Sequence, residues 1–470
     1  MREYALYLFV AFFSIYAFRD WFKSACALVL LIAVIQHPDF PNEVGGIQGA
    51  NPWNILLVFV TTSWVINRRI EKLRWDMPRG VGLLLAGYAF VVIIGFIRRF
   101  IDMTNCEEFS RGELISEYLI NTFKFAIPGI IIFDGCRDPK RMKWALAATL
   151  GVYVLLALQV VRWMPIQSGL SGAELTERSR KILQNEIGFH AVNMSMMLAG
   201  ASWGILACLP LVRGKWKRLG LIGVALGVMF GQALTGGRTG YATWGAIGLI
   251  MCMLKWRKQL LLVPAAALLI TIAVPGAVDR MMQGFGRTDA SGREYTDSYK
   301  VTSGRTTIWP HVIDKIMESP VVGWGRLGMN RTGLVTFLLY KYGESFPHPH
   351  NVYFECLLDN GVVGAIPILG FYAVVLYMSI GLFRSKDKPW HAAVGGVSTA
   401  LVLALLIAGV GSQTFYPREG AAPMWVAMGM MLRVAVEARR RRPRARQTAT
   451  YQRFVQTAPR SAAPLELVST

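Results

Sequence analysis

Acidic residues and cysteine are both scarce in this chain, and their scarcity argues against several chemistries at once. Asp and Glu together number 29 against 50 Lys and Arg, and the sequence contains no Asp-x-Asp, no His-Glu-x-x-His and no Cys-x-x-Cys. The common linear signatures of a metal-dependent enzyme or a zinc knuckle are therefore missing. The cysteines, Cys26, Cys106, Cys136, Cys208, Cys252 and Cys356, are scattered and mostly lie inside apolar segments, so they imply no disulfide framework. A βαβ alternation is also missing. Gly323-Trp324-Gly325-Arg326-Leu327-Gly328 matches the dinucleotide pattern G-x-G-x-x-G but fails its context, and it reads as a tight glycine turn.

What the chain has instead is apolar sequence. It is 53% hydrophobic over 470 residues with a mean hydropathy of +0.39, which excludes an ordinary soluble globule. In lipid a helix satisfies its own backbone, so long apolar runs imply an all-α polytopic membrane protein. The candidate crossings are 22–36, 52–66, 80–97, 118–134, 143–163, 188–211, 219–235, 238–254, 258–275, 361–383, 391–412 and 421–436, about twelve transmembrane helices. An extra segment at 4–18 is ambiguous between a crossing and a shallow helix. No small-x-small site follows it and another apolar helix comes at once, so it does not read as a cleaved signal peptide.

The linkers alternate in charge. Those holding Arg68, Arg69, Lys72 and Arg74, then Arg137 to Lys143, Arg213 to Arg218, Lys255 to Lys258, Arg384 to Lys388 and Arg439 to Arg442 are short and basic, which assigns them to the cytoplasm. The segments 37–51, 98–117, 164–187, 276–350 and 413–420 then lie outside. The formal net charge of +21 is explained by this topology and by anionic lipid, so membrane lipids are expected partners and nucleic acid is not. Two regions depart from the helical pattern. Residues 276–350 form a long outer loop with a short amphipathic helix around 307–318, and 437–470 is an Arg-, Pro- and Ala-rich tail with little to bury, expected to be disordered. The domain reading is thus a membrane-embedded unit, 1–436, and a cytoplasmic tail.

Four residue types stand out at the outer ends. His350 stands at the head of a membrane helix, where the helix dipole disfavours its cation and keeps a neutral imidazole ready to accept a proton; the bland alternative is a capping histidine. His348-Pro349-His350 has no acidic or thiol cluster beside it and is not read as a metal site. Arg238, in Thr235-Gly236-Gly237-Arg238-Thr239, lies outside, where the positive-inside rule gives it no reason to be. It either binds a specific anion or snorkels to headgroups. Arg305 and Arg418 are weaker taken singly. Glu355 and Asp359 recur at helical spacing from Asn351, with pairing to one of these arginines as their plain explanation.

Together these residues resemble the O-antigen ligase and polymerase superfamily. The pattern H-N-x9-G-x-x-G is met by His350, Asn351, Gly361 and Gly364, and Gly237-Arg238-Thr239 and Ser303-Gly304-Arg305 look like the family's two arginine positions. The Pro320-to-Gly325 turn is also of the family's kind, and the likeness runs over about 180–435. The resemblance implies a metal-independent, inverting glycosyltransferase of the C type, without cofactor. It would act at the periplasmic face of a Gram-negative inner membrane, with one large periplasmic loop and both ends cytoplasmic. Its donor would be a glycan on undecaprenyl pyrophosphate and its acceptor the lipid A-core. Under that reading His350 is the base and Arg238 and Arg305 bind the diphosphate, while Asn351, Arg418, His348 and Tyr416 contact substrate. An O-antigen polymerase or a protein O-glycan ligase would share this layout. A lipid-linked-sugar transporter would instead show ionisable residues at mid-membrane and two related halves.

Overall fold

The computed structural model describes residues 2–457 except 107, 263, 264, 266, 267, 269, 270, 289–293, 387 and 413. The chain is mostly helical. Among the described residues, eight helices are long and apolar enough to cross a membrane: Arg79–Ile101, Arg111–Gly135, Pro139–Trp163, Ala191–Leu211, Lys215–Leu234, Val352–Phe383, Pro389–Ala408 and Glu419–Arg440. The burial of their apolar windows separates them. Pro389–Ala408 and Glu419–Arg440 are each 83% buried, whereas Arg79–Ile101 is 28% buried and turns Leu83 and Phe90 outward. Apolar side chains on the outside of an apolar bundle belong against lipid, so this is a multi-pass membrane protein.

Three expected crossings fall short of that test. The 22–36 segment is the ten-residue helix Trp21–Leu30 continued by a 3-10 turn, Leu31–Ala33; at 1.5 Å per residue the pair spans about 20 Å, less than a bilayer core. Arg238–Leu254 has 17 residues. Pro52–Ile70 has 19, but Asn54, Asn67, Arg68 and Arg69 dilute its hydropathy. The 258–275 segment lies partly outside the described residues. The ambiguous first segment is a 15-residue helix, Arg2–Tyr16, about 22 Å long, which turns at Asp20, a cap whose carboxylate accepts from the Lys23 amide at 3.1 Å.

The long loop folds on itself. Arg305–Glu318 forms the expected amphipathic helix and buries Ile308, Val312 and Ile316, spaced four apart, against Met329, Leu334, Leu338 and Phe346. At the opposite end of the bundle, buried Asp134 accepts from Arg68, Arg137 and Trp64, and Asp76 pairs with Arg433 and Arg440. The stretch expected to be disordered from 437 instead continues the last helix to Thr457; Ala, Arg and Gln are good helix formers, which composition-based reasoning about burial overlooks. Residues 458–470 lie outside the described residues.

Candidate active site

The helix Val352–Phe383 is broken at Gly361, which has φ 59° and ψ −170°. A Cβ there would sit 2.3 Å from the Val321 carbonyl oxygen, so only glycine admits the neighbouring chain. Into the break comes Pro320–Gly325. Val362 and Val363 donate to the Pro320 and Val321 carbonyls at 2.9 and 3.1 Å, and Trp324 and Gly325 donate to Leu358 and Asp359 at 2.7 Å each. Arg98 holds the same loop from the other side through the Val322 and Gly323 carbonyls. The glycine of the sequence motif thus joins the long loop to the helix that His350 precedes.

Asn351 is the cap of that helix. Its side-chain oxygen accepts from the amides of Tyr353 at 3.0 Å and Phe354 at 3.3 Å, so this oxygen caps the helix. His350 lies one residue earlier in a left-handed conformation, φ 50°. The Val352 amide bonds the Gly409 carbonyl and the Trp309 indole bonds the Pro349 carbonyl at 3.1 Å, which ties the turn to both the Pro389–Ala408 and the Arg305–Glu318 helices. His350 packs edge-on against His348, with centroids 4.2 Å apart. Burial pushes its pKa down to about 3, helped by His348, Arg305 and His190. Desolvation is the largest of these causes, and it acts in the same direction as the expected helix-dipole effect. His348 is also lowered, by desolvation and by Arg418, Arg326 and Arg305, although its side chain is reached by solvent at the mouth of a cavity.

Arg238 and Arg305 are brought together. Arg238 is the first residue of its helix and donates to the Gln283 carbonyl at 3.1 Å and the Ser303 hydroxyl at 2.7 Å. Arg305 begins its own helix after two left-handed residues, Ser303 and Gly304; it donates to the Thr302 carbonyl at 3.3 Å, and its Nε is buried without a hydrogen-bond partner. Burial and then Arg238 lower the pKa of Arg305. A third arginine belongs to the group. Arg280 donates to the Gly236 carbonyl at 3.3 Å, and burial, Arg238 and Arg180 push it down to about 10. Sequence reasoning missed it, although Arg280 opens the same outer loop and met the criterion applied to Arg238. Mutually repelling guanidiniums in a partly dry setting form a site for an anion.

On the other side of His348 is a cavity of about 400 Å³, lined by His190, Asn193, Arg326, His348, Glu355, Tyr416 and Arg418. His350, Arg238 and Arg305 are not on its wall. Its floor is a buried network. Arg326 pairs with Glu355 at 3.1 Å and Asp359 at 3.0 Å and lies 3.4 Å over the Tyr416 ring, while the Tyr416 hydroxyl donates to Asp359 and accepts from Asn360. Burial would weaken the Arg326 proton, but Tyr416, Glu355 and Asp359 outweigh it and raise the pKa. The partner of the two acids is thus Arg326, from the turn that read as bland, and not Arg238, Arg305 or Arg418. Tyr416 lines the cavity with its hydroxyl already committed. Arg418 is exposed on the wall. Among the described residues no group of three or more His, Cys, Asp and Glu side chains converges as metal ligands would.

Residues 222–369 match the family model described as O-antigen ligase. Over this stretch the chain is similar to O-antigen ligases. The matched stretch takes in Arg238, Arg280, Arg305, Arg326, His348, His350, Gly361 and Gly364, and leaves Tyr416 and Arg418 outside it. No curated protein matches the chain. The family covers O-antigen ligases and related polymerases and implies glycosyltransferase-like activity on a lipid-linked polysaccharide.

Proposed function

We propose that this protein moves a glycan from undecaprenyl pyrophosphate to a sugar hydroxyl of lipid A-core, on the periplasmic side of the inner membrane. The observation that carries the reading is a row of guanidiniums, Arg280 acting on Arg238 and Arg238 on Arg305, whose last member, Arg305, acts on a His350 kept neutral by burial. The arginines bind the diphosphate. His350 takes the proton of the acceptor hydroxyl as that oxygen bonds the anomeric carbon, and the carbon–oxygen bond to phosphate breaks with its electron pair leaving on the diphosphate. Attack opposite the leaving group inverts the anomeric centre. Charge neutralisation by guanidinium supplies what a divalent ion would otherwise provide, so no metal or cofactor is needed.

The surroundings support both substrates. An apolar cavity of about 420 Å³ lies beside the helix that carries Arg280, lined by Leu226, Phe230, Trp244, Val278 and Met281, and would take the first isoprene units of the carrier. The polar cavity beyond His348 lies where acceptor sugar would enter, with Arg418 and Glu355 as hydrogen-bonding walls. The test is the phenotype of cells lacking the chain. Polymerised O-chains retained on the lipid carrier over unsubstituted core support the ligase reading, and single repeats on core would instead assign a polymerase.

A further inference from the structure

The opposite end of the molecule carries a second built site, unrelated to glycan transfer. The helix Pro52–Ile70 ends in Arg68-Arg69, and the chain then turns back on itself. Lys72 adopts φ 51°, and the Leu73 amide bonds the Arg68 carbonyl at 3.0 Å. This reversal gathers Arg68, Arg69 and Lys72 around a cavity of about 510 Å³ whose other walls include Trp64 and Trp75.

The charge of that cavity is not cancelled. Asp134 accepts from Arg68 Nε at 2.8 Å, but Arg137 and Trp64 share the same carboxylate, and Arg68 Nη2 remains buried without a hydrogen-bond partner. Glu71 is turned away to Arg141 and Trp21, and Asp76 to Arg433 and Arg440. Arg69 and Lys72 are exposed, and no ion pair is made by either among the described residues.

The same helix exposes apolar side chains. Val58 is 62% exposed, Val65 and Ile66 46%, and Ile70 69%. Val58 and Val65, seven apart, stack along the flank that borders the cavity, and Ile66 and Ile70, four apart, stack along the next flank, about 100° round the helix. Trp75 is 48% exposed at the level of the charges, the place an indole takes at a membrane interface. A ligand complementary to this surface has an anionic head and a hydrocarbon tail.

We propose that Arg69, Lys72 and the free edge of Arg68 bind the phosphodiester of an anionic phospholipid in the leaflet at this end, with an acyl chain laid along Val65 and Val58. A basic linker that only sets orientation needs neither the cavity nor the apolar flank.

The test is native mass spectrometry of the full chain with phosphatidylglycerol or phosphatidylcholine of identical acyl chains. One phosphatidylglycerol is expected to be retained preferentially. Arg69→Gln with Lys72→Gln should weaken that retention about 5-fold per charge removed, the factor expected for a cation beside an anionic headgroup. The double variant Arg213→Gln with Lys217→Gln, in another basic linker, should leave it unchanged. Arg68 is not substituted because it also holds Asp134. Equal retention of the two lipids, unchanged retention by the Arg69/Lys72 variant, or displacement of the lipid by millimolar inorganic phosphate would each overturn the proposal, the last by assigning a site for free anion only.

Discussion

Arg238 donates to the hydroxyl of Ser303 across 2.7 Å, and Ser303 stands two residues before Arg305. This one bond ties the turn between two bundle helices to the start of a helix in the long loop, and so fixes two guanidiniums relative to each other. The fork geometry of Arg238 lets it hold Gln283 and Ser303 from two separate nitrogens while facing an anion, a planar spread of donors that the single nitrogen of an ammonium does not reproduce. Arg238→Lys and Arg305→Lys are each expected to cost about 1–3 kcal/mol of transition-state stabilisation, measured as the loss in kcat/KM for lipid-linked donor. Near-normal transfer by both variants would return them to the role of headgroup anchors.

The sidedness of the long loop is open to direct chemistry because all six native cysteines are buried. Tyr340, in the loop helix Leu334–Tyr342, is 95% exposed, and Trp216, at the basic end of Lys215–Leu234, is 84% exposed. Tyr340→Cys should react with a membrane-impermeant thiol reagent in intact spheroplasts, and Trp216→Cys only after permeabilisation. The reverse pattern would invert the topology on which the periplasmic assignment rests.

His350 makes a prediction about pH. Its pKa of about 3 lies below the ordinary value near 6.5, so the unfolded chain binds more protons between the two. The stability this residue contributes is therefore complete above about pH 6.5 and declines as pH falls toward 3. For catalysis the free enzyme should show no acid limb in kcat/KM near pH 6.5 from this group. A base this weak gains proton affinity when diphosphate neutralises Arg305, so the acid limb of kcat should lie above that of kcat/KM. Coincident limbs in the two profiles would count against an anion bound beside His350.

Arg326 shows where reading the sequence stopped short. Its partners Glu355 and Asp359 lie 29 and 33 residues along the chain, and only the break at Gly361 brings the Pro320–Gly325 turn against them. The His350 motif, Arg238 and Arg305 were legible because residue type and spacing at a membrane boundary mark them. The partnership of Arg326 depends on a tertiary contact that no local pattern encodes. The same holds for the crossings: hydropathy marks apolar runs but not where a 3-10 turn, as at Leu31–Ala33, shortens them. Removing Arg326 would leave the buried Asp359 carboxylate without its cation beside a part-buried Glu355, so Arg326→Gln is expected to lose about 3–5 kcal/mol of stability, read as a lowered Tm in detergent. An unchanged Tm would show that the network contributes little to the fold.

The last prediction joins base and leaving group. On the proposed mechanism Arg238, Arg280 and Arg305 supply the positive charge that a departing diphosphate needs, so transfer by purified protein should persist in excess chelator. His350→Ala should bind lipid-linked donor normally and lose turnover by ~10²–10⁴-fold, the usual contribution of a positioned base. The two measurements fail separately. Loss of transfer in chelator, restored by a divalent ion, would mean that the arginines do not suffice for the leaving group. Wild-type turnover by His350→Ala would move the proton to another acceptor, and His348, whose ring stands 4.2 Å away on the cavity wall, is the group to substitute next.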